Sequence, residues 1–358
     1  MNNKKLAFVF LSYCFLLFSI TVTMDGVAAE RDLTGCFQNS LRVSTQMSYS
    51  GILYYQRITT DGEWKVKLKL DHSKAHGVRI EFVTPERIKG LVILRNQDAL
   101  WIKRIEQNEL ERYYRETRII PLRSFFQQGE WPELVDLELL KKNYSFTQEK
   151  AEVVAGRKTT QISVKNKVAR HPRPRANFWI DNESGFLLKY KRFEHDGKLG
   201  EVFFFTEIKL GNDMPASRFS TEGLECDTKF NEEDQQPPKI DFKPATTEWL
   251  PRGFEKRHEK FFKGRHGVTS HTLFSDGLAR FSIFQSKLSE KEMEESKAEQ
   301  AKQKTNAPIV KRWPGGQEVF FRDVNGLRIG AVGDLPADSI MHTLAKLAVP
   351  NCEPSPKK

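Results

Sequence analysis

Trp64-Lys65-Val66-Lys67-Leu68-Lys69-Leu70 alternates strictly, with four apolar side chains on one face of an extended chain and three lysines on the other. Successive side chains point to opposite faces of a strand, so this pattern predicts a half-buried antiparallel strand with one face on a core and one in water. Upstream, Asp61-Gly62 is a hairpin-turn signal, and Tyr49 to Ile58, rich in aromatic and β-branched residues, is the partner strand. Downstream, Val78, Ile80 and Phe82 alternate with Arg79 and Glu81 in the same manner. Ile88 to Leu94 and Leu100 to Ile105 are expected as further strands, broken at Asn96-Gln97-Asp98 by turn residues. Strands resume at Thr159 to Val164, Asn177 to Asp181, Phe186 to Phe193 and Glu201 to Leu210, with Asn182-Glu183-Ser184-Gly185 and Asp196-Gly197 as turns. About nine consecutive strands with short turns predict a large antiparallel sheet, strongly curved or half-closed. Helical spacing enters at Leu33, Phe37 and Leu41, and again at Leu134, Leu137 and Leu140 within a stretch punctuated by Pro121, Gly129 and Pro132.

The N-terminus carries an address. Lys4 and Lys5 precede an uncharged apolar run, Leu6 to Val22, and Val27 and Ala29 place small residues before Glu30. This is the three-part pattern of a secretory signal peptide cleaved after Ala29, with a retained membrane anchor as the competing reading. Leu33-Thr34-Gly35-Cys36 has the form of a lipobox, but Asp25, Glu30, Arg31 and Asp32 separate it from the apolar run, so the match is taken as accidental. Loss of residues 1–29 removes Lys4, Lys5 and Asp25 and takes the formal charge from +10 to +9. A basic surplus favours anionic partners, and export argues against nucleic acid. Cys36, Cys226 and Cys352 remain, enough for one disulfide whose pairing the sequence leaves open.

The remaining length exceeds what one core usually supports, so two domains are expected. Residues 211–246, with Glu232-Glu233-Asp234 and Pro237-Pro238, have the composition of a linker between an N-terminal domain (30–210) and a C-terminal domain (247–350). Within the latter, the insertion 287–312 is dominated by charged and amide side chains and is expected as a solvated helix or a disordered segment. Catalytic and metal motifs do not assemble. His258-Glu259-Lys260-Phe261-Phe262 starts like H-E-x-x-H but has Phe262 where the second histidine belongs. His72 and His76 fall in a strand-turn region, and His258, His266 and His271 lack a carboxylate or thiol at ligand spacing. No nucleophile elbow, phosphate loop or C-x-x-C is present, so no enzyme, cofactor or metal is expected.

Trp249-Leu250-Pro251-Arg252-Gly253-Phe254, Leu273-Phe274-Ser275-Asp276-Gly277-Leu278, Phe281-Ser282-Ile283-Phe284 and Ile329-Gly330-Ala331-Val332-Gly333-Asp334-Leu335-Pro336 resemble, in order and approximate spacing, the RseB/MucB family of periplasmic sigma-factor regulators. Physically, Pro251 and Gly253 fix a turn, Ser275-Asp276-Gly277 makes a hairpin turn, and Asp334 and Pro336 mark the start of a final helix. Tyr49-Ser50-Gly51-Ile52-Leu53-Tyr54-Tyr55 resembles the family's first strand. Phe178-Trp179-Ile180-Asp181 with Gly185-Phe186-Leu187-Leu188 resembles a segment shared with the lipoprotein carriers LolA and LolB, although Leu187 stands where that segment has proline. The resemblance implies an α+β fold, with a large curved antiparallel sheet like the LolA/LolB half-barrel and a smaller C-terminal α+β domain. It also implies a negative regulator that binds the periplasmic part of an RseA/MucA-like membrane anti-sigma factor, shields it from proteolysis, and is released by mislocalised lipoprotein or lipopolysaccharide.

Two functions stay open at the level of sequence. One is that regulator; the other is a periplasmic lipid or lipoprotein carrier with no anti-sigma partner, which would not need the C-terminal domain. Trp64, Phe82, Leu100, Phe178 and Phe204 are expected on one face of the curved sheet, either lining an apolar cavity for acyl chains or filling a core. Arg173 and Arg175, with Arg170 and His171, lie in a stretch that Pro172 and Pro174 hold extended. That stretch is a candidate exposed basic loop for phosphate or an acidic peptide, or else a solubilising surface.

Overall fold

The computed structural model describes residues 32–59, 62–95, 100–103, 136–168, 173–222, 226–230, 238–264, 267–303, 309–312 and 318–350. The signal peptide with its cleavage site, the turn 96–98, the stretch 104–135, Arg170 to Pro172, the acidic run 232–234 with Pro237, His266 and Cys352 lie outside the described residues.

The alternation at Trp64–Leu70 decides the N-terminal fold as expected. Helix α1 (Leu33–Gln46) leads into an open eleven-stranded antiparallel sheet. Its strands are β1 (Tyr49–Thr59), β2 (Gly62–Ser73), β3 (Gly77–Thr84), β4 (Val92–Arg95), β5 (Leu100–Lys103), β6 (Tyr144–Val154), β7 (Arg157–Asn166), β8 (Arg175–Asp181), β9 (Leu187–Phe193), β10 (Leu199–Leu210) and β11 (Cys226–Phe230). The order is β11-β5-β4-β3-β2-β1-β10-β9-β8-β7-β6, so β10 closes back onto β1 and the sheet curves without becoming a barrel. In β2, Val66, Leu68 and Leu70 are buried while Lys65 and Lys69 are exposed. The rest of the inner face follows from register: Leu53 opposes Leu68 and Phe205, and Tyr55 opposes Val66 and Phe203.

Some elements escaped the sequence pattern or differ from it. The edge strand β6 is mostly exposed on both faces, so its sequence shows no two-residue alternation. The segment from Ile88 splits into a 3-10 turn (Glu86–Ile88) and the shorter β4. Helix α2 (Leu137–Asn143) comes immediately before β6, capped by Asp136, whose carboxylate accepts from Leu139 N at 3.1 Å. Within 211–246, residues Ala216–Phe219 form a 3-10 turn that Arg218 pins to buried Asp71 at 2.8 Å, and β11 adds to the large sheet beside β5.

The second sheet has six antiparallel strands in the order β13-β14-β15-β18-β17-β16. They are β13 (Glu255–Gly264), β14 (Gly267–Ser275), β15 (Arg280–Lys287), β16 (Ile309–Arg312), β17 (Glu318–Val324) and β18 (Leu327–Gly333). The short strands β12 (Thr246–Thr247) and β19 (Leu347–Ala348) pair with each other. Helix α3 (Glu290–Gln303) occupies the charged insertion, and α4 (Ala337–Ala345) packs Ile340 and Leu344 into a core with Phe254, Phe281, Ile283 and Ile329. Pro336 occupies the cap position of α4, and no side chain caps it. Among the described residues no helix is long and apolar enough to cross a membrane.

A local feature predicts an acid response. Asp181, at the end of β8, is buried, which alone would raise its pKa, but Arg157 at 2.9 Å and the Ser184 hydroxyl and amide hold the carboxyl below its usual value. A depressed carboxylate contributes stability above its unfolded pKa and loses it as pH falls through the folded value. Arg157→Ala is expected to reduce that contribution, leaving only the Ser184 donors, so acid unfolding of the variant should begin at higher pH than in the wild type. Identical acid midpoints by circular dichroism would remove this role from the pair.

The candidate functional site: the inner face and the joint between the sheets

The inner face of the large sheet is built from strand parity, and α1 lies against it. Phe37 of α1 meets Phe178 edge-on at 4.5 Å between ring centroids and Phe146 at 5.8 Å. The Ser44 hydroxyl accepts from Leu187 N at 3.1 Å, fixing the other end of the helix to β9. Phe82 and Phe178 are 1% and 2% exposed, so both are packed side chains among the described residues. Trp64 shares their face, half-buried, with its ring 5.7 Å from Tyr55. Leu100 opens β5 opposite Arg95, in the cross-strand row of Val78 and His72.

Phe204 does not belong to this set. It opposes Tyr54, which faces away from the core, while its neighbours Phe203 and Phe205 take the inward positions opposite Tyr55 and Leu53. The run Phe203-Phe204-Phe205 has no alternation of its own, so only pairing register decides which ring turns outward.

The arginine stretch also requires correction. Arg173 is not exposed: its side chain is 5% accessible, its Nε is 3.5 Å from Asp276 Oδ2, its Nη2 donates to Arg252 O at 3.2 Å, and its guanidinium covers the Phe254 ring at 4.8 Å. Arg175, two residues on, stacks over Phe193 at 4.1 Å and remains half-exposed. The destination of Arg173, on the other sheet, was not legible in the sequence.

Arg173 leads to the polar joint. Asp276, in the β14–β15 turn, is fully buried and accepts from Tyr144 Oη at 2.9 Å to either oxygen. Its Oδ1 also accepts from Leu278 N at 3.2 Å and Ala279 N at 2.8 Å. Burial pushes the Asp276 carboxyl up, against the lowering effect of these donors and Arg173. Burial first, and then the Asp276 charge, raise the Tyr144 phenol far above its usual value, so it remains a donor. Around this centre, Asn143 Nδ2 donates to Gly253 O at 3.0 Å and Asp276 O at 2.9 Å, Asp136 N donates to Gly277 O at 3.1 Å, and Arg257 pairs with Asp136. Gly277 has φ +111°, and a Cβ there would stand 2.4 Å from Leu140 N, so α2 sits directly on a turn that tolerates no side chain. A second clasp joins Arg192 of β9 to Asp334 at 2.9 Å, and Asp334 also accepts from Arg280 N at 3.1 Å. Sequence reasoning found Asp276, Gly253 and Asp334 only as turn or cap residues; Tyr144, Asn143 and Arg192 carried no signal.

Residues 92–222 match the family model of the MucB/RseB N-terminal domain, and residues 243–348 match that of the MucB/RseB C-terminal domain. The chain belongs to the MucB/RseB family. Among its MucB/RseB relatives is the sigma factor AlgU regulatory protein MucB of Pseudomonas aeruginosa, 26% identical over 269 residues that make up 72% of this chain and 71% of that protein. The MucA/MucB complex of Pseudomonas aeruginosa aligns with 90% of this chain and 100% of its own at TM-score 0.60 and 18% identity. A structure of MucB in complex with MucA(peri) gives TM-score 0.59 and 17% identity over 89% of this chain and 100% of its own. At these identities the structural matches show a shared MucB/RseB fold. Three of the motif stretches that carry the family resemblance form, in space, much of the joint: Arg252 to Phe254, Asp276 with Gly277, and Asp334.

The C-terminal sheet carries one titratable feature on the face away from α4. His271 stacks on Phe284 at 4.4 Å, lies 2.9 Å from Ser282 Oγ and 5.5 Å from the His258 ring, and sits opposite Lys260. Burial, then His258 and Lys260, lower its pKa to about 4. His258 and Glu259 lie on strand β13, and among the described residues no group of His, Cys, Asp and Glu is placed to hold a metal. A histidine with a lowered pKa gives full stability above its unfolded value and loses it as pH falls from about 6.5 to about 4. His271→Phe is therefore expected to remove on the order of 2 kcal/mol of destabilisation over that window. Parallel stability-pH curves for the two proteins would show that the fold does not hold His271 neutral.

Proposed function

We propose that this protein is a periplasmic negative regulator of an envelope-stress sigma factor. It binds the periplasmic part of a MucA-like membrane anti-sigma factor and shields it from proteolysis. Mislocalised lipoprotein or lipopolysaccharide, sensed by the N-terminal domain, releases it. The observation that carries this reading is the match of both MucB/RseB domain models, in order, along one chain. The shared fold with MucB in the MucA/MucB complex supports it. The C-terminal domain supplies much of the anti-sigma contact, and the polar joint couples it to the sensor. Export to the periplasm rests on the N-terminal pattern of basic residues, apolar run and small-residue exit.

Pull-down of the periplasmic segment of the anti-sigma factor from the same organism tests this reading. Full-length mature protein is expected to retain the segment, and residues 30–215 alone are expected to retain it less well. If the N-terminal piece binds as tightly as the whole, the C-terminal domain is not the docking surface. If neither binds but an acylated peptide is retained, the protein is a carrier.

A further inference from the structure

The outer face of the large sheet carries a pattern that neither the core nor the joint uses. Direct cross-strand pairing sets Lys67, Tyr54, Phe204, Lys189 and Trp179 in one row across β2, β1, β10, β9 and β8. The next row runs Lys65, Gln56, Val202, Lys191 and Asn177. At strand spacing, each row spans roughly 19 Å. Tyr54 and Phe204 are half-exposed and in ring contact at 5.0 Å, while the Lys189 and Lys191 ammonium groups lie 4.4 and 5.7 Å from the Trp179 ring centroid. The acids here are partly spent: Glu63 is paired with Lys65 and Glu152 with Lys189. Glu81 faces Lys69 across β3, and exposed Glu207 faces Ile52. Among the described residues, Lys67, Lys69 and Lys191 enter no ion pair.

We propose that this face docks the protein on an anionic phospholipid bilayer, through Lys67, Lys69 and Lys191 with Tyr54 and Phe204 at headgroup level. Lysines on long apolar stems, set beside aromatic rings, match an interface that is negative at its surface and apolar just beneath. The patch lies in the middle of the sheet, outward-curving and away from both edge strands. It offers neither the free strand edge nor the groove by which an extended acidic peptide would be held. Docking here leaves the inner face and the joint turned away from the lipid. The proposal thus goes beyond the regulatory reading and stands without it.

The test uses residues 30–358, which contain every described element and omit the apolar N-terminal run. Sedimentation is measured with phosphatidylcholine vesicles, with and without phosphatidylglycerol. Binding is expected only to the anionic vesicles and is expected to fall steeply with salt. A juxtamembrane lysine is worth about fivefold in binding, so Lys67→Glu/Lys69→Glu/Lys191→Glu should weaken it by a hundredfold or more. These residues are solvent-facing, and unchanged thermal unfolding of the triple variant confirms an intact fold. Phe204→Ser should weaken binding without changing its salt dependence. Binding that survives the triple variant would place lipid elsewhere, for instance on the inner face, and overturn the proposal. So would a failure to bind anionic vesicles together with lysine-dependent capture of polyglutamate, which would make the face an acidic-peptide site.

Discussion

Asp276→Ala is expected to cost the folded protein about 3–5 kcal/mol, because it removes one partner of a buried, hydrogen-bonded charge pair and leaves the other behind. Arg173 would keep its buried guanidinium without a carboxylate, and the Tyr144 hydroxyl and the Leu278 and Ala279 amides would lose their acceptor. Asp276→Asn keeps an oxygen for those amides and relieves the burial of a charge, so its cost should be smaller, on the order of 1–2 kcal/mol. Tyr144→Phe, which deletes a single donor, is expected near 1 kcal/mol. Urea unfolding of the three variants orders them. Because the losses sit between the two sheets, Asp276→Ala should also separate one unfolding transition into two, followed by tryptophan fluorescence and circular dichroism. Asp276→Ala within 1 kcal/mol of the wild type, with a single transition, would mean that this cluster does not hold the sheets together.

What the sequence displayed and what it hid divide along a physical line. Alternation reports burial on one side, so Trp64–Leu70 and Val78–Phe82 announced their strands and their inward faces. It fails where both faces meet the same environment. β6, at the sheet edge, is exposed over most of its length, and Phe203-Phe204-Phe205 is aromatic throughout, so that strand was missed and one ring was assigned to the wrong face. Turn chemistry was equally local. Ser275-Asp276-Gly277 was legible as a turn because those residues favour its backbone, yet the same Asp276 reaches Tyr144, which precedes it by 132 positions. A basic residue between prolines has the same appearance whether it meets water or a buried carboxylate, which is why Arg173 looked like a surface ligand.

The motifs nevertheless held more than turns. Gly253 receives Asn143, Gly277 receives the backbone of α2, and Asp334 receives Arg192. Each lies in a stretch by which the family resemblance was first drawn. The segments that make the chain look like a MucB/RseB protein are therefore also those that fix the two sheets to each other. In the proposed mechanism that is where release must be transmitted: a sensor event on one sheet can alter docking on the other only by shifting this contact.

The candidate ligand-binding face makes the second large prediction. Phe178→Ala is expected to cost about 3–5 kcal/mol, as for any fully packed aromatic ring whose removal leaves a cavity. Its ring is closed off by Phe37 of α1 at 4.5 Å and by Tyr190 at 5.1 Å, with 2% of the residue exposed. An acyl chain could reach Phe178 only if α1 moved, breaking the Phe37 contact and the Ser44 tether to Leu187. This yields a paired expectation. In Phe178→Ala, the space left by the ring should accept an alkyl chain without that movement, so an acylated peptide present at a hundredfold over its dissociation constant should return about 2.7 kcal/mol of the lost stability. The wild type, with its cavity already filled by its own side chains, should gain less from the same peptide. Unfolding measured with and without the peptide separates the cases. A loss below 1 kcal/mol in Phe178→Ala, with weaker acyl binding than the wild type, would show that the ring lines an open lipid slot and that α1 is not its cover.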